Sequence, residues 1–412
     1  MSWKVTCAME ERMRFIADHE EGLESFADLC RDYGVSRKTG YKWLGRYRES
    51  GLAGLGDASR APRRHPNEIA ELVQRRIIEL RAAHPTWGPK KLHAWLERHE
   101  AGQAWPAVST MGAILKRHGL SWARKKRNRA SPSEHPLQNA ESPNQVWCAD
   151  YKGWFLCGDQ QRCYPLTITD AYSRYLLRCQ AMRQTETITA RAVFEATFRE
   201  YGMPQAIRTD NGSPFASVGL RGLSRLSVWW LKLGIQLERI EPGEPQQNGR
   251  HERMHRTLKA ETTKPAGTNL RAQQTRFDRF LEEFNRQRPH EALNFAVPAE
   301  RYQASPRVYP HRLEEPTYLA AWGTRRVSSN GEITLDYARL FLTEALAHES
   351  VGLEPVGDGL WRVWFGSLCL GEVNQRRDWP GTDARRSRWL KLQSPSRLLP
   401  LEPTSIIKTE KL

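Results

Sequence analysis

Three acidic side chains stand out by their surroundings: Asp150, Asp210 and Glu252. Asp150 lies at the centre of an apolar run, NQVWCADYKGWF. Asp210 ends an extended run, Ala206-Ile207-Arg208-Thr209, and precedes the turn-forming pair Asn211-Gly212. An acid at a strand end before such a turn can project into a cleft. Glu252 falls in the first turn of a helical pattern that opens after Asn248 and Gly249, with Asn248 as the expected N-cap. The positive end of the helix dipole favours its ionised form there. His255, Arg256 and Lys259 follow at three, four and seven residues, spacings that put them on its face. Hard divalent cations such as Mg²⁺ take a few carboxylate oxygens and leave other positions to water and phosphate. Two such ions about 3.5–4 Å apart stabilise the attacking and leaving oxygens of an in-line displacement at phosphorus. Carboxylates beside a basic stripe therefore suit a site that binds metal ions and then a phosphate backbone.

The elements around these acids follow from pattern and turn chemistry. From residue 142 the pattern is one of strands. Residues 146–156 and 163–169 read as a hairpin across Gly158-Asp159, and 174–180 as a third strand. Thr185 is the expected cap of an amphipathic helix ending at Tyr201, where Gly202 and Pro204 stop it. Residues 205–210 and 235–240 read as further strands with a helix near 223–233 between them, and another helix covers about 270–286. Trp147, Trp154, Trp229 and Trp230 are assigned to the core.

With 47 acidic residues in the chain, three carboxylates alone carry little weight; their flanking words carry more. Asp150, Asp210 with its TDNG, and Glu252 in PQQNGRHERMHRTLK resemble the DDE triad of insertion-sequence transposases in the retroviral-integrase superfamily. The phrases TDAYSRYLL and FNRQRPHEALN agree, and the resemblance runs from about residue 18 to 302. One departure is the interval of 41 residues between Asp210 and Glu252, longer than is usual in the family, with the surplus assigned to SVGLRGLSRLS. The resemblance implies an RNase H-like α/β core over 142–302, with Asp150, Asp210 and Glu252 as catalytic and metal-ligating residues. It implies two Mg²⁺ ions, with Mn²⁺ as a substitute, cutting a phosphodiester to free a 3′-hydroxyl that then attacks target DNA. No Ser, Tyr or Cys nucleophile is required. Lys259 becomes a candidate phosphate contact, and joining two ends implies a homo-oligomer.

Two other readings compete. One is a catalytically silent DNA-binding regulator derived from a transposase. The other is a zinc metalloprotease, because His251-Glu252-Arg253-Met254-His255 fits H-E-x-x-H. A zinc site of that kind lies on a buried helix, and this segment is expected to be too charged to bury.

The rest of the chain bears on the partner. Its 412 residues suggest about three domains, and the formal charge is +16. Residues 1–129 hold 25 Lys and Arg against 15 Asp and Glu, so the excess points to a polyanion, DNA being the natural one. Residues 1–55 read as a helix-turn-helix domain. Leu23, Phe26, Ala27, Leu29 and Cys30 form an apolar face, Gly34 the turn, and Ser36 the cap of a second helix. Arg37, Lys38, Tyr41 and Lys42 would face outward from that helix toward a major groove, while Trp43 and Leu44 pack inward. Gly40 inside it is a poor helix former with no local explanation. Residues 67–121 read as a winged helix-turn-helix, with Ile69, Leu72, Val73, Ile77 and Leu80 inward, Ser109 as a cap, and Lys90 and Lys91 near phosphate. A basic linker, 122–141, contributes Arg124, Lys125 and Lys126. Hairpin signals at Asn330-Gly331 and Asp358-Gly359 suggest a small β-barrel over 318–375, followed by a basic, disordered tail, 376–412. Seven scattered cysteines without a C-x-x-C pair argue for reduced thiols and against a zinc finger. No apolar run reaches the roughly 18–20 residues of a membrane span, so the expected place is the cytoplasm, at the nucleoid.

Overall fold

In the computed structural model the described residues are 7–57, 69–121, 137, 139–241, 245–335, 338–357, 359–374 and 389–390. The basic linker with Arg124, Lys125 and Lys126, and nearly all of the 376–412 tail, lie outside them. The chain divides into two units, Met1–Ala70 and Glu71–Leu412. Among the described residues no helix is long and apolar enough to cross a membrane.

The first unit holds α1 (Ala8–Glu21), α2 (Phe26–Asp32) and α3 (Arg37–Ser50). Ser36 caps α3 by accepting from the Thr39 amide at 3.2 Å, and Gly34 makes the turn at φ +63°. Phe15, Ile16, Leu29, Cys30, Leu44 and Leu55 form its core. Gly40 is where the helices come closest. A Cβ built there would lie 2.7 Å from Cys30 Sγ and 2.9 Å from Phe15 Cζ, so the poor helix former is required by packing. Leu23, expected on the apolar face, is instead 83% exposed; it lies before the Ser25 N-cap of α2 and so outside the helix.

The second unit begins with α4 (Glu71–Ala83), α5 (Pro89–His99) and α6 (Val108–Arg117). Ile77, Leu80, Leu92, Leu96, Met111 and Ile114 are buried along with Trp87. No strand accompanies these helices among the described residues, so the expected wing is not formed there. Leu72 points outward, and Ala107, not Ser109, precedes α6.

The central domain contains β1 (Val146–Tyr151), β2 (Phe155–Leu156), β3 (Arg162–Asp170), β4 (Leu176–Met182), α7 (Thr187–Tyr201), β5 (Ala206–Thr209), α8 (Arg225–Lys232), β6 (Gln236–Arg239), α9 (Gly249–Thr262) and α10 (Leu270–Arg286). The sheet order is β2-β3-β1-β5-β6, with β4 paired to β3. β1 runs antiparallel to β3 and parallel to β5, which is parallel to β6. One face packs on α7 and α8 through Trp147, Ile168, Phe194, Phe198, Trp229 and Trp230. The other packs on α9 and α10 through Cys163, Cys179, Met254, Leu258, Phe277 and Phe280. This is the expected succession of strands and helices. Trp154 departs from expectation: Gly153 turns the chain at φ +76° and leaves the indole 53% exposed. The cap of α7 is Glu186 without a side-chain bond, not Thr185.

The C-terminal strands are β7 (Gly323–Arg326), β8 (Glu332–Leu335), β9 (Ala338–Phe341), β10 (Ser350–Gly357), β11 (Leu360–Phe365), β12 (Leu368–Asn374) and β13 (Trp389–Leu390). They form a four-stranded sheet, β12-β11-β10-β7, and a separate three-stranded sheet, β13-β9-β8. A barrel requires continuous pairing around the circle, and among the described residues none runs between these sheets, so the expected barrel is not closed there. The turn at Asn330-Gly331 does form, with the Gly331 amide donating to Ser328 O at 3.0 Å. Its two arms diverge, however: β7 pairs with β10 and β8 with β9. Val327, Leu340, Val351, Val363 and Phe365 share one core with Leu223 and Val228 of the α8 region, and Lys232 meets Glu349 at 2.8 Å.

Candidate active site

Strand register brings the two aspartates to one level. Cys148 of β1 is opposite Arg208 of β5 in the parallel pair, so two residues further on Asp150 corresponds to Asp210. Adjacent strands lie about 4.8 Å apart. Both acids therefore stand at the carboxyl ends of neighbouring parallel strands, where α/β sheets form their clefts. Asp210 is exposed, accepts from the Gly212 amide at 3.1 Å, and sits in a loop tied down by Asn211 Nδ2 bonding to Ile240 O at 2.7 Å. Glu252 is exposed in the first turn of α9.

Electrostatics link the three. The Asp150 carboxyl is pushed up to about 7, first by burial and then by the negative charge of Asp210, with Glu252 adding to it. Lys152 and a backbone hydrogen bond from Tyr151 oppose that shift. A largely buried acid under the negative charge of two others is the environment that a divalent cation stabilises. The donors are hard carboxylate oxygens, so the residues present fit Mg²⁺ or Mn²⁺.

The inner face of α9 departs from expectation. His255 does not share the face of Glu252, Arg256 and Lys259; those three are exposed, whereas His251 and His255 are each 2% exposed. The charged residues of this segment point to solvent and the imidazoles point to the sheet, so the helix is buried on one side after all. Thr167 Oγ1 lies 2.7 Å from His251 Nε2, 2.6 Å from His255 Nε2 and 3.1 Å from the Asp150 carbonyl oxygen. Thr169 Oγ1 lies 2.9 Å from His251 Nδ1. Burial lowers His251 to about 3 and His255 far below the usual imidazole range. His255 Nδ1 is 3.6 Å from Asp150 Oδ2. Donor atoms of Asp150, His251 and His255 lie within 4.8 Å of one another. Hydrogen bonds occupy both nitrogens of His251, so an H-E-x-x-H zinc site, which needs both imidazoles free, does not fit.

Sequence reasoning missed Thr167 and Thr169; their spacing of two on β3 was the available signal. Asn248 precedes α9 without a side-chain cap, its Oδ1 buried and unpartnered. The TDAYSRYLL phrase is structural at its acid: buried Asp170 accepts from the Asn144 and Ser173 amides and the Ser173 hydroxyl at 2.6–2.8 Å.

The candidate DNA contacts fall into different settings. Arg37, Lys38, Tyr41 and Lys42 are all exposed on α3, with Tyr41 stacked 4.1 Å from Phe26. Lys90 stands 3.5 Å from Glu291. Lys91 is lowered to about 8, by burial and by the Arg288 charge, against Glu291 and Glu261. Lys259 is exposed beside a groove that it lines with Lys152, Trp154 and Phe155.

Relatives agree with this architecture. The integrase core domain profile matches residues 140–245 and again 233–298. A helix-turn-helix domain matches 11–63 and a homeodomain-like domain 39–115. The insertion element IS407 uncharacterized 31.7 kDa protein of Burkholderia multivorans is 25% identical over 57% of this chain and 82% of its own length. The insertion element IS476 uncharacterized 39.2 kDa protein of Xanthomonas euvesicatoria is 25% identical over 60% of this chain and 70% of its own. The Gag-Pol polyprotein of baboon endogenous virus is 34% identical over 24% of this chain and 6% of its own. Fold and site thus define an integrase-core protein with helix-turn-helix modules ahead of the core. The integrase core and helix-turn-helix domains, with the insertion-element relatives, support an insertion-element DDE transposase of the integrase superfamily, and the core domain points to polynucleotidyl transferase activity in general.

Proposed function

We propose that this protein cuts the ends of an insertion element and joins them to target DNA, with Asp150, Asp210 and Glu252 holding divalent metal ions. The observation that carries this reading is the strand register that sets Asp150 level with Asp210 at the ends of adjacent parallel strands, with the charges of Asp210 and Glu252 both raising the Asp150 carboxyl. When bound, a metal pair would neutralise the charge of the phosphate and activate the attacking oxygen. The chain's own residues supply the rest. Asp150 and Asp210 offer oxygens from adjacent strand ends, Glu252 offers one from α9, and Lys259 on the same exposed face holds backbone phosphate. Arg37, Lys38, Tyr41 and Lys42 read the terminal repeats from α3. Two ends joined at one target call for a homo-oligomer, acting at the nucleoid.

The test is joining of a labelled terminal-repeat oligonucleotide with Mg²⁺ or Mn²⁺. Asp150→Asn should abolish joining while leaving oligonucleotide binding within about twofold, because DNA affinity comes mainly from cationic contacts elsewhere. Binding without joining under any divalent metal would instead mark the chain as a DNA-binding regulator.

A further inference from the structure

The hydrogen-bond accounting around Thr167 leaves one nitrogen over. Its hydroxyl has a single proton and two lone pairs, yet it meets three partners. The Asp150 carbonyl oxygen can only accept, so the hydroxyl proton goes there. Both lone pairs then accept, which requires Nε2–H on His251 and on His255. Each ring is neutral in this arrangement, in keeping with its burial, so each Nδ1 carries a bare lone pair. The Thr169 hydroxyl donates to His251 Nδ1. Among the described residues His255 Nδ1 meets no such donor, and it faces Asp150 Oδ2 at 3.6 Å, beyond hydrogen-bonding distance. Two lone pairs facing each other at that distance call for a cation between them.

We propose that His255 Nδ1 is a ligand of the metal ion held by Asp150, which makes the site a mixed nitrogen and oxygen site selective for a first-row transition cation over Mg²⁺. Metal–nitrogen and metal–oxygen bonds of about 2.0–2.2 Å reach across the gap. Imidazole nitrogen suits borderline transition cations, whereas Mg²⁺ prefers an all-oxygen shell. Thr167 acts one step out: by accepting from Nε2–H it fixes the tautomer and orients the ring, as outer partners of metal-bound histidines do. His251 is a brace, not a ligand. This inference rests on the reading of Asp150 as a metal ligand and adds to it a nitrogen donor and a metal preference.

The experiment is electron spin-echo envelope modulation of Mn²⁺ bound to the metal-free full-length chain, with affinities from Mn²⁺ titration. The expected spectrum shows ¹⁴N coupling from a directly bound imidazole. His255→Asn puts an amide oxygen or nitrogen in its place. It should remove that coupling, weaken Mn²⁺ binding by about ten- to a hundredfold and narrow the preference over Mg²⁺. Thr169→Val, which frees only His251, should keep the coupling. The wild-type spectrum decides even if His255→Asn does not fold. Mn²⁺ bound in a way that Asp150→Asn abolishes, but without ¹⁴N coupling, overturns the role of His255 and leaves the carboxylate site standing. Mn²⁺ binding indifferent to Asp150→Asn overturns both.

Discussion

Helices α3 and α5 are alike in composition and unlike in circumstance. Each opens with neighbouring basic residues, Arg37-Lys38 in one and Lys90-Lys91 in the other. On α3 the cations Arg37, Lys38 and Lys42 are exposed, and none forms an ion pair among the described residues. On α5 acids of the central domain have reached the cations first. Lys90 faces Glu291, Arg98 meets Glu300 at 2.5 Å, and Lys91 is packed beside Arg288, Glu261 and Glu291. Basic composition marks a polyanion site only where counter-charges are lacking. By that criterion α3 is the helix on which the proposed DNA contacts rest, and α4–α6 form a module fastened to the core.

The fastening has a centre. Arg288, 5% exposed, bonds to Glu261 of α9 at 2.7 Å and to Thr86 at 3.2 Å, while His84 meets Glu283 of α10 at 2.8 Å. Arg288→Ala leaves Glu261 half-buried without its partner and should cost about 3–5 kcal/mol, read as a large drop in the denaturant midpoint at constant slope. Replacing Arg288 and Glu261 together by leucine should recover most of that loss, because the unpaired charge is gone. A loss below about 1 kcal/mol for Arg288→Ala would mean that the module is held elsewhere and would weaken the contrast with α3.

Removing three exposed cations together, as Arg37→Ala, Lys38→Ala and Lys42→Ala, should weaken binding to a terminal-repeat duplex by about 1–3 kcal/mol. The slope of log affinity against log salt should become shallower by about 0.9 for each phosphate that is no longer neutralised. Folding should be little affected, since the core of the first unit lies on Phe15, Leu29 and Leu44. An unchanged salt slope would show that α3 does not touch the backbone.

What could be read in the sequence divides along a physical line. The placement of two of the acids was legible because local chemistry puts them on display: a strand end before Asn211-Gly212 for Asp210, a helix start for Glu252. Ser36 announced its helix in the same local way. The inner face of α9 was misjudged because net charge along a helix averages over its sides, while burial follows the 3.6-residue period. His251, Met254, His255 and Leu258 lie on that period. The open C-terminal sheets escaped for a different reason. The turn at Asn330-Gly331 is local, but the partners of its two arms, β10 and β9, are set by non-local packing. Trp154 was misplaced because the strand breaks at Gly153, a turn invisible to hydropathy.

Lys90 gives the smallest expected effect and the sharpest discrimination. Its ammonium and the Glu291 carboxylate are 3.5 Å apart with side chains 62% and 57% exposed. A pair so open to water contributes at most about 1 kcal/mol, because solvent screens the attraction and both side chains lose rotamer freedom. Lys90→Ala should therefore leave stability nearly unchanged, and with the cation already matched by an acid it should leave the salt dependence of DNA binding unchanged too. Glu291→Gln separates the alternatives further. If α5 is purely a fastening helix, removing the acid does nothing to DNA affinity. If Lys90 exchanges Glu291 for phosphate when DNA arrives, Glu291→Gln should tighten binding and Lys90→Ala should flatten the salt slope by about 0.9. That pair of results would erase the distinction between α3 and α5 and return the second module to the DNA-binding surface.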